Sequence, residues 1–198
     1  HNLIEAARAA GVKHFVFTSV LGGSPDSPVP FVQGKAKTEE RLRASGMDYT
    51  ILAPNFFMEV WVGMVIGGPL QAGQPVTLVG EAKRKHSLVS MADVAAFATA
   101  SVDNPAARNA HLPIGGPKAL SWRDIVAACG QVVGRELPMQ FVAIGEPVPS
   151  LPEAVQPLMW GLETYDSVLD MEEIARTFGV ELTPLEIVAG RVFEGMSP

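Results

Sequence analysis

Apolar positions near the start of the chain switch between two periods. From Asn2 to Ala10, Leu3, Ile4, Ala7 and Ala10 recur at helical spacing, and Gly11 supplies a left-handed stop. His14-Phe-Val-Phe-Thr-Ser-Val20 is an unbroken β-branched and aromatic run, which predicts a strand buried on both faces. A Gly, Ser and Pro-rich loop over Leu21 to Pro30 follows. The polar stretch Phe31 to Ser45 then shows Phe31, Thr38 and Leu42 along one face, and Gly46 closes it. Tyr49-Thr-Ile-Leu-Ala53 reads as a second buried strand. Two helix–strand units in succession predict an α/β fold with a doubly wound parallel sheet and right-handed crossovers.

Beyond Pro54 the texture changes. The pattern predicts a helix from about Phe56 to Ile66, short strands near Val76 to Val79 and Ser87 to Ser90, and a helix near Ala92 to Ser101. A short strand at His111 to Ile114 and a helix at Trp122 to Val133 come next. The tail after Pro147 is proline-punctuated, with helical patterns at Met171 to Phe178 and Leu185 to Phe193. Residues 1–140 read as one domain with interleaved substrate-side elements, and residues 141–198 as a small α+β C-terminal lobe.

Composition narrows the function classes. Hydrophobic residues at 47% and charged ones at 18% fit a packed globular protein and exclude disorder. A net charge of -6 without a long basic run leaves nothing to neutralise a phosphate backbone, so nucleic acid is not an expected direct partner. The most apolar stretch, Phe56 to Leu70, is interrupted by Glu59 and by Gly67-Gly68-Pro69, so no membrane span is expected. Cys129 is alone, and His1, His14, His86 and His111 have no metal-ligand spacing with it. No metal site is expected, and the cysteine usage fits a reducing cytoplasm.

Glycine placement excludes several motifs. Gly22-Gly23 follows a strand but leads into Ser24-Pro25-Asp26, without the third glycine or immediate helix that a dinucleotide loop requires. Gly67-Gly68 and Gly115-Gly116 read as turns. Gly34-Lys35 lacks the rest of a nucleoside triphosphate loop, and no Gly-x-Ser-x-Gly elbow occurs. What chemistry remains sits at two places. Thr18 and Ser19 stand at the carboxyl end of the first strand, where open α/β sheets place ligands, although strand-end hydroxyls also satisfy local backbone. Lys35, four residues after Phe31 and seven before Leu42, falls on the apolar face of its helix. An ammonium there needs a partner or a cleft; the plain alternative is a snorkelling lysine paired with Glu39 one turn on.

The run Asn2-Leu-Ile-Glu-Ala-Ala-Arg-Ala-Ala-Gly-Val-Lys-His-Phe-Val-Phe-Thr-Ser19 strongly resembles NmrA-like proteins, which are atypical short-chain dehydrogenase/reductases. So do Lys35-Ala-Lys-Thr-Glu-Glu-Arg-Leu-Arg-Ala-Ser-Gly-Met-Asp-Tyr-Thr-Ile-Leu-Ala-Pro54 and the tail segment Ile174-Ala-Arg-Thr-Phe-Gly-Val180. The resemblance implies the C-terminal part of a Rossmann-type sheet holding NADP or NAD, with NADPH favoured, and a smaller lobe forming the substrate cleft. Family members begin with a glycine-rich loop and two or three βα units, so roughly 80 residues upstream of Asn2 are expected to be absent from this chain. The chain by itself is then expected to bind NAD(P) weakly or not at all, and to form a homo-oligomer or pair with an N-terminal segment.

Carried over by resemblance, Thr18 and Ser19 match strand-end hydroxyls near the nicotinamide. Lys35 matches a lysine that contacts the nicotinamide ribose and assists proton transfer in reductases. Pro54, Asn55 and Phe56 match the segment lying against the nicotinamide. Phe57, Met58 and Trp61 would face the substrate, unless that cluster is simply core. Two departures stand out. Phe31-Val-Gln-Gly-Lys35 has phenylalanine where typical dehydrogenases of the superfamily carry the tyrosine of Tyr-x-x-x-Lys, so no phenol can act as general acid/base. Ala53 and Asn55 stand where the family commonly shows Arg and Gly. The implied activity is hydride transfer from NAD(P)H to a quinone-like or azo aromatic acceptor. The rival is a non-catalytic NAD(P)-sensing regulator, or an interaction module.

Overall fold

The computed structural model describes residues 2–194; His1 lies outside them. In chain order it contains α1 (Asn2–Ala9), β1 (His14–Thr18), α2 (Pro30–Arg43), β2 (Asp48–Pro54) and α3 (Met58–Val62). A π-helical turn (Gly63–Gly67) leads into α4 (Gly68–Gln71), then β3 (Val76–Val79), α5 (Met91–Ala100), β4 (Ala110–Ile114) and α6 (Trp122–Val132). β5 (Met139–Val142), α7 (Gln156–Leu162), α8 (Glu172–Phe178) and α9 (Leu185–Val192) complete it. Among the described residues no helix is long and apolar enough to cross a membrane.

These elements sort into two compact units that alternate along the chain. The first takes the chain through Asn55 together with Ala92–Ile114 and Met171–Glu181. The second takes Phe56–Met91, Gly115–Asp170 and the stretch from Leu182 onward, so residues on both sides of position 140 belong to it.

In the first unit, β1, β2 and β4 form a parallel sheet in the order β1-β2-β4. Phe15 lies opposite Tyr49, Thr18 opposite Leu52, and Pro54 opposite Ile114. The period-2 alternation of a strand turns Phe15, Phe17, Tyr49 and Ile51 to one face, where they cluster with Ile4 of α1 and Leu42 of α2. Gly11 and Gly46 both adopt positive φ, at 74° and 79°, and so release α1 and α2 into the strands that follow. Phe97 of α5, fully buried, meets Phe178 of α8 edge-on with centroids 5.8 Å apart. Central β2 is buried from Thr50 to Pro54, as its sequence predicts. The expectation for β1 needs correction: His14 to Phe17 are only half-buried and Thr18 is exposed. β1 pairs on one side alone among the described residues, so half of its surface has no neighbouring strand.

In the second unit, β3 and β5 pair in parallel, and Trp61, Val62, Val65 and Ile66 share a core with Leu78, Ile125, Cys129, Leu162 and Val188. Gly67-Gly68 is not a turn. Both residues have helical φ near -60°, and the helix beginning at Met58 passes through them by way of the π-helical turn. Gly115-Gly116 is not a simple turn either. A Cβ on Gly116 would collide with the Leu88 carbonyl, and one on Gly115 with Ser87, so both glycines are required by close approach of backbone. Ser87 to Ser90 is not a strand: within it only Val89 makes an isolated bridge, to Phe57, and the residue before it, His86, bridges Leu120 and Ser167.

Candidate active site at the carboxyl edge of the parallel sheet

Backbone hydrogen bonding continues past the ends of the three parallel strands. Ser19 N–H donates to Leu52 O (2.7 Å), Leu21 N–H to Pro54 O (2.9 Å) and Asn55 N–H to Ile114 O (2.8 Å). Thr18-Ser19 and Pro54-Asn55 are thereby fixed in adjacent rows at the carboxyl edge, the side on which open parallel sheets bind ligands. Thr18 keeps its side chain exposed, whereas Ser19, Pro54 and Asn55 are buried, Ser19 to 2% and Asn55 to 4% exposure.

Lys35 reaches this edge from the second turn of α2. Its Nζ donates to the Thr18 carbonyl at 2.7 Å and lies over the rings of Phe17 and Phe31, at 4.9 and 5.5 Å from their centroids. Both distances are within cation–π range. Burial lowers the Lys35 pKa from its ordinary value, because removal from water disfavours the ammonium form. An ammonium has three donors. Among the described residues Lys35 commits one, to Thr18, and does not pair with Glu39.

Glu39 has other partners. It is buried to 6% exposure and accepts a hydrogen bond from the Ser19 hydroxyl. Arg43 donates to its second oxygen at 2.8 Å, and His111 Nε2 of β4 lies 3.5 Å away. The Ser19 hydroxyl therefore points into the protein toward a carboxylate. The sequence supplies Glu39 only as a helical neighbour of Lys35; its bond to Ser19 is a tertiary contact that no local spacing signals.

Phe56, Phe57, Met58 and Trp61 belong to the second unit. Phe56 stacks edge-on against Trp61 at 4.9 Å, and Trp61 lies 6.4 Å from Trp122. Met58 and Trp61 are core residues at 2% and 6% exposure, while Phe57 is half-buried and its backbone bridges Val89. Cys129 is fully buried and its thiol is pushed up to about 12, so it offers no thiolate at neutral pH. Among the described residues no cluster of three or more His, Cys, Asp or Glu could hold a metal ion.

The profile of the NmrA-like family matches residues 1–189. Over 189 residues the chain is 34% identical to the NAD(P)H azoreductase of Xenophilus azovorans, covering 95% of this chain and 60% of that protein. It is 32% identical over 133 residues to the photosystem II assembly factor Ycf39 of Synechocystis, covering 67% of this chain and 40% of that protein. The chain thus spans less than two thirds of the length of these relatives. In fold it is similar to the NADPH-dependent quinone oxidoreductase of Escherichia coli, solved with NADPH, at a TM-score of 0.79 and 23% identity over 97% of this chain and 70% of that one. The parallel sheet and the extent of the family match agree: this chain belongs to the NmrA-like family.

Proposed function

We propose that the protein acts as an NAD(P)H-dependent reductase, with NADPH the favoured donor and a quinone-like aromatic compound the acceptor. The observation that carries this reading is the Lys35 ammonium. It is half-buried, bonded to the carbonyl at the end of β1, and has two further N–H donors uncommitted among the described residues, at the edge of the sheet where ligands dock. The names of two similar proteins support it, one an NAD(P)H azoreductase and the other an NADPH-dependent quinone oxidoreductase.

The residues present fit a nicotinamide half-site. Thr18 offers an exposed hydroxyl, Lys35 offers donors for a ribose hydroxyl, and buried Pro54 and Asn55 shape the adjoining strand end. The candidates matched by resemblance to the substrate side lie in the second unit, where Phe56 and Phe57 are half-buried and Met58 and Trp61 belong to the core. When bound, the reduced nicotinamide supplies the hydride. Lys35 then has the protein's part in the chemistry: it holds a proton beside the developing oxyanion and yields it more readily than a solvated lysine would. Phe31 occupies the position of the usual phenol, so alcohol oxidation by a tyrosinate is not available. A quinone asks less of the protein, since solvent or Lys35 can protonate its product oxygens.

Oxidation of NADPH followed across a panel of quinones tests the proposal. Turnover that depends on the quinone is the expected result. Phe31 also keeps a second reading in view, an NAD(P)-sensing regulator, and tight cofactor binding without turnover on any quinone would select it.

A further inference from the structure

Lys35 and Glu39 are one helical turn apart on α2, and each bonds to one of two consecutive residues at the end of β1. Lys35 Nζ donates to Thr18 O at 2.7 Å, and the Ser19 hydroxyl donates to Glu39. The two bonds form rungs between helix and strand end. The outer rung is half-buried; the inner one is closed, with Ser19 at 2% and Glu39 at 6% exposure. A buried carboxylate is costly unless it is paired, and this one spends its oxygens on Ser19, Arg43 and the neighbourhood of His111. It therefore joins three elements, α2, β1 and β4, at one point.

We propose that Glu39, acting through Ser19, is a positioning residue that holds the Thr18 carbonyl and the Lys35 ammonium in register, and that Ser19 serves this rung rather than the cofactor. The proposal rests on the reductase reading for its catalytic consequence but not for its structural content. Lys35 can be held against Thr18 only if the strand end stays still relative to α2. The backbone bond from Ser19 N–H to Leu52 O fixes the strand end to β2, while the Ser19 hydroxyl is the side-chain tie that fixes it to the helix. Without that tie, the Lys35 side chain is free to leave the Phe17 and Phe31 rings for water, and its proton affinity returns toward that of an ordinary lysine.

Two readouts test this in Ser19→Ala, Glu39→Gln and Glu39→Ala. Competitive acetylation of Lys35 across pH, quantified on its peptide by mass spectrometry, gives the titration of that amine without any cofactor. The expected result is a rise of its apparent pKa in S19A and E39A, with E39Q between them and wild type because its amide oxygen still accepts from Ser19. In quinone-dependent NADPH oxidation, S19A and E39A lose about tenfold or more in kcat and their alkaline limb moves to higher pH. An unchanged Lys35 titration and an unchanged alkaline limb in variants that retain the wild-type circular dichroism spectrum would overturn the proposal, leaving Glu39 a purely structural group. Should E39A not fold, S19A and E39Q decide it. If wild type shows no quinone turnover at all, the reductase reading falls, and the acetylation titration alone still decides the positioning role.

Discussion

In the proposed reaction Lys35 carries the protein's part of the chemistry, and its environment fixes how that activity should vary with pH. As a proton donor it works in the ammonium form, and burial lowers its pKa. The rate should therefore be full at lower pH and fall as pH rises through a value below the ordinary lysine range. Lys35→Met should lower kcat about 10²-fold and remove that limb, while Lys35→Arg should keep charge but carry its limb out of the accessible range. A pH profile of kcat for the three proteins checks this; a limb that persists in K35M would assign the titration to another group. Lys35 was legible in the sequence because an ammonium on an apolar helical face calls for a partner. Which partner it finds was not legible. Spacing nominates Glu39, but the strand-end carbonyl of Thr18 wins because β1 and α2 meet there, and Glu39 is already committed to Ser19 and Arg43.

At the scale of elements, the helices and central strands follow from periodicity, and the departures have identifiable causes. β2, α5, α6, α8 and α9 fall where apolar spacing puts them, within a residue or two of the predicted bounds. β5 escapes a reading by pattern because Met139, Gln140 and Phe141 are all exposed, so no alternation of burial marks it. α7 escapes because Pro157 and Gly161 look like punctuation, yet the proline sits in the first turn, where a missing N–H costs nothing. Glycines divide in the same way. Gly34 lies inside α2 with open space around it, so Gly34→Ala should raise stability by about 0.5–1 kcal/mol. Gly116 abuts the Leu88 carbonyl, so Gly116→Ala should cost about 1–3 kcal/mol or more. Urea unfolding of both variants checks the pair; equal and small shifts would contradict the packing given for Gly116.

For the molecule as a whole, the two units are built differently: a three-stranded parallel sheet with a small cluster on one face organises the first, and a larger aromatic and aliphatic core around a long broken helix, with a two-stranded sheet, the second. The second unit also contains a buried titratable latch. His86, 1% exposed, engages Ser167 Oγ at 2.8 Å and Leu162 O at 3.0 Å, with Tyr165 edge-on against its ring and Asp166 next in sequence. Burial lowers its pKa below the ordinary histidine value of 6.5, opposed by the hydrogen bond to the Leu162 carbonyl and the charge of Asp166. The folded state thus binds fewer protons than the unfolded one. The stability His86 supports is fully present above about pH 6.5 and is lost as pH falls toward its folded value. The thermal midpoint should fall between pH 7 and pH 5.5 in wild type. It should fall less in His86→Gln, which starts from a lower midpoint at pH 7.5. An equal acid dependence in both proteins would assign it elsewhere.

Quinone-dependent oxidation of NADPH by the purified protein, followed through the loss of NADPH absorbance, decides most directly whether it is a reductase that works through Lys35. The expected result is consumption that requires both NADPH and the quinone, and that drops about 10²-fold when Lys35 is replaced by Met. Turnover left intact by that replacement, or cofactor bound tightly with no turnover on any quinone, would contradict it.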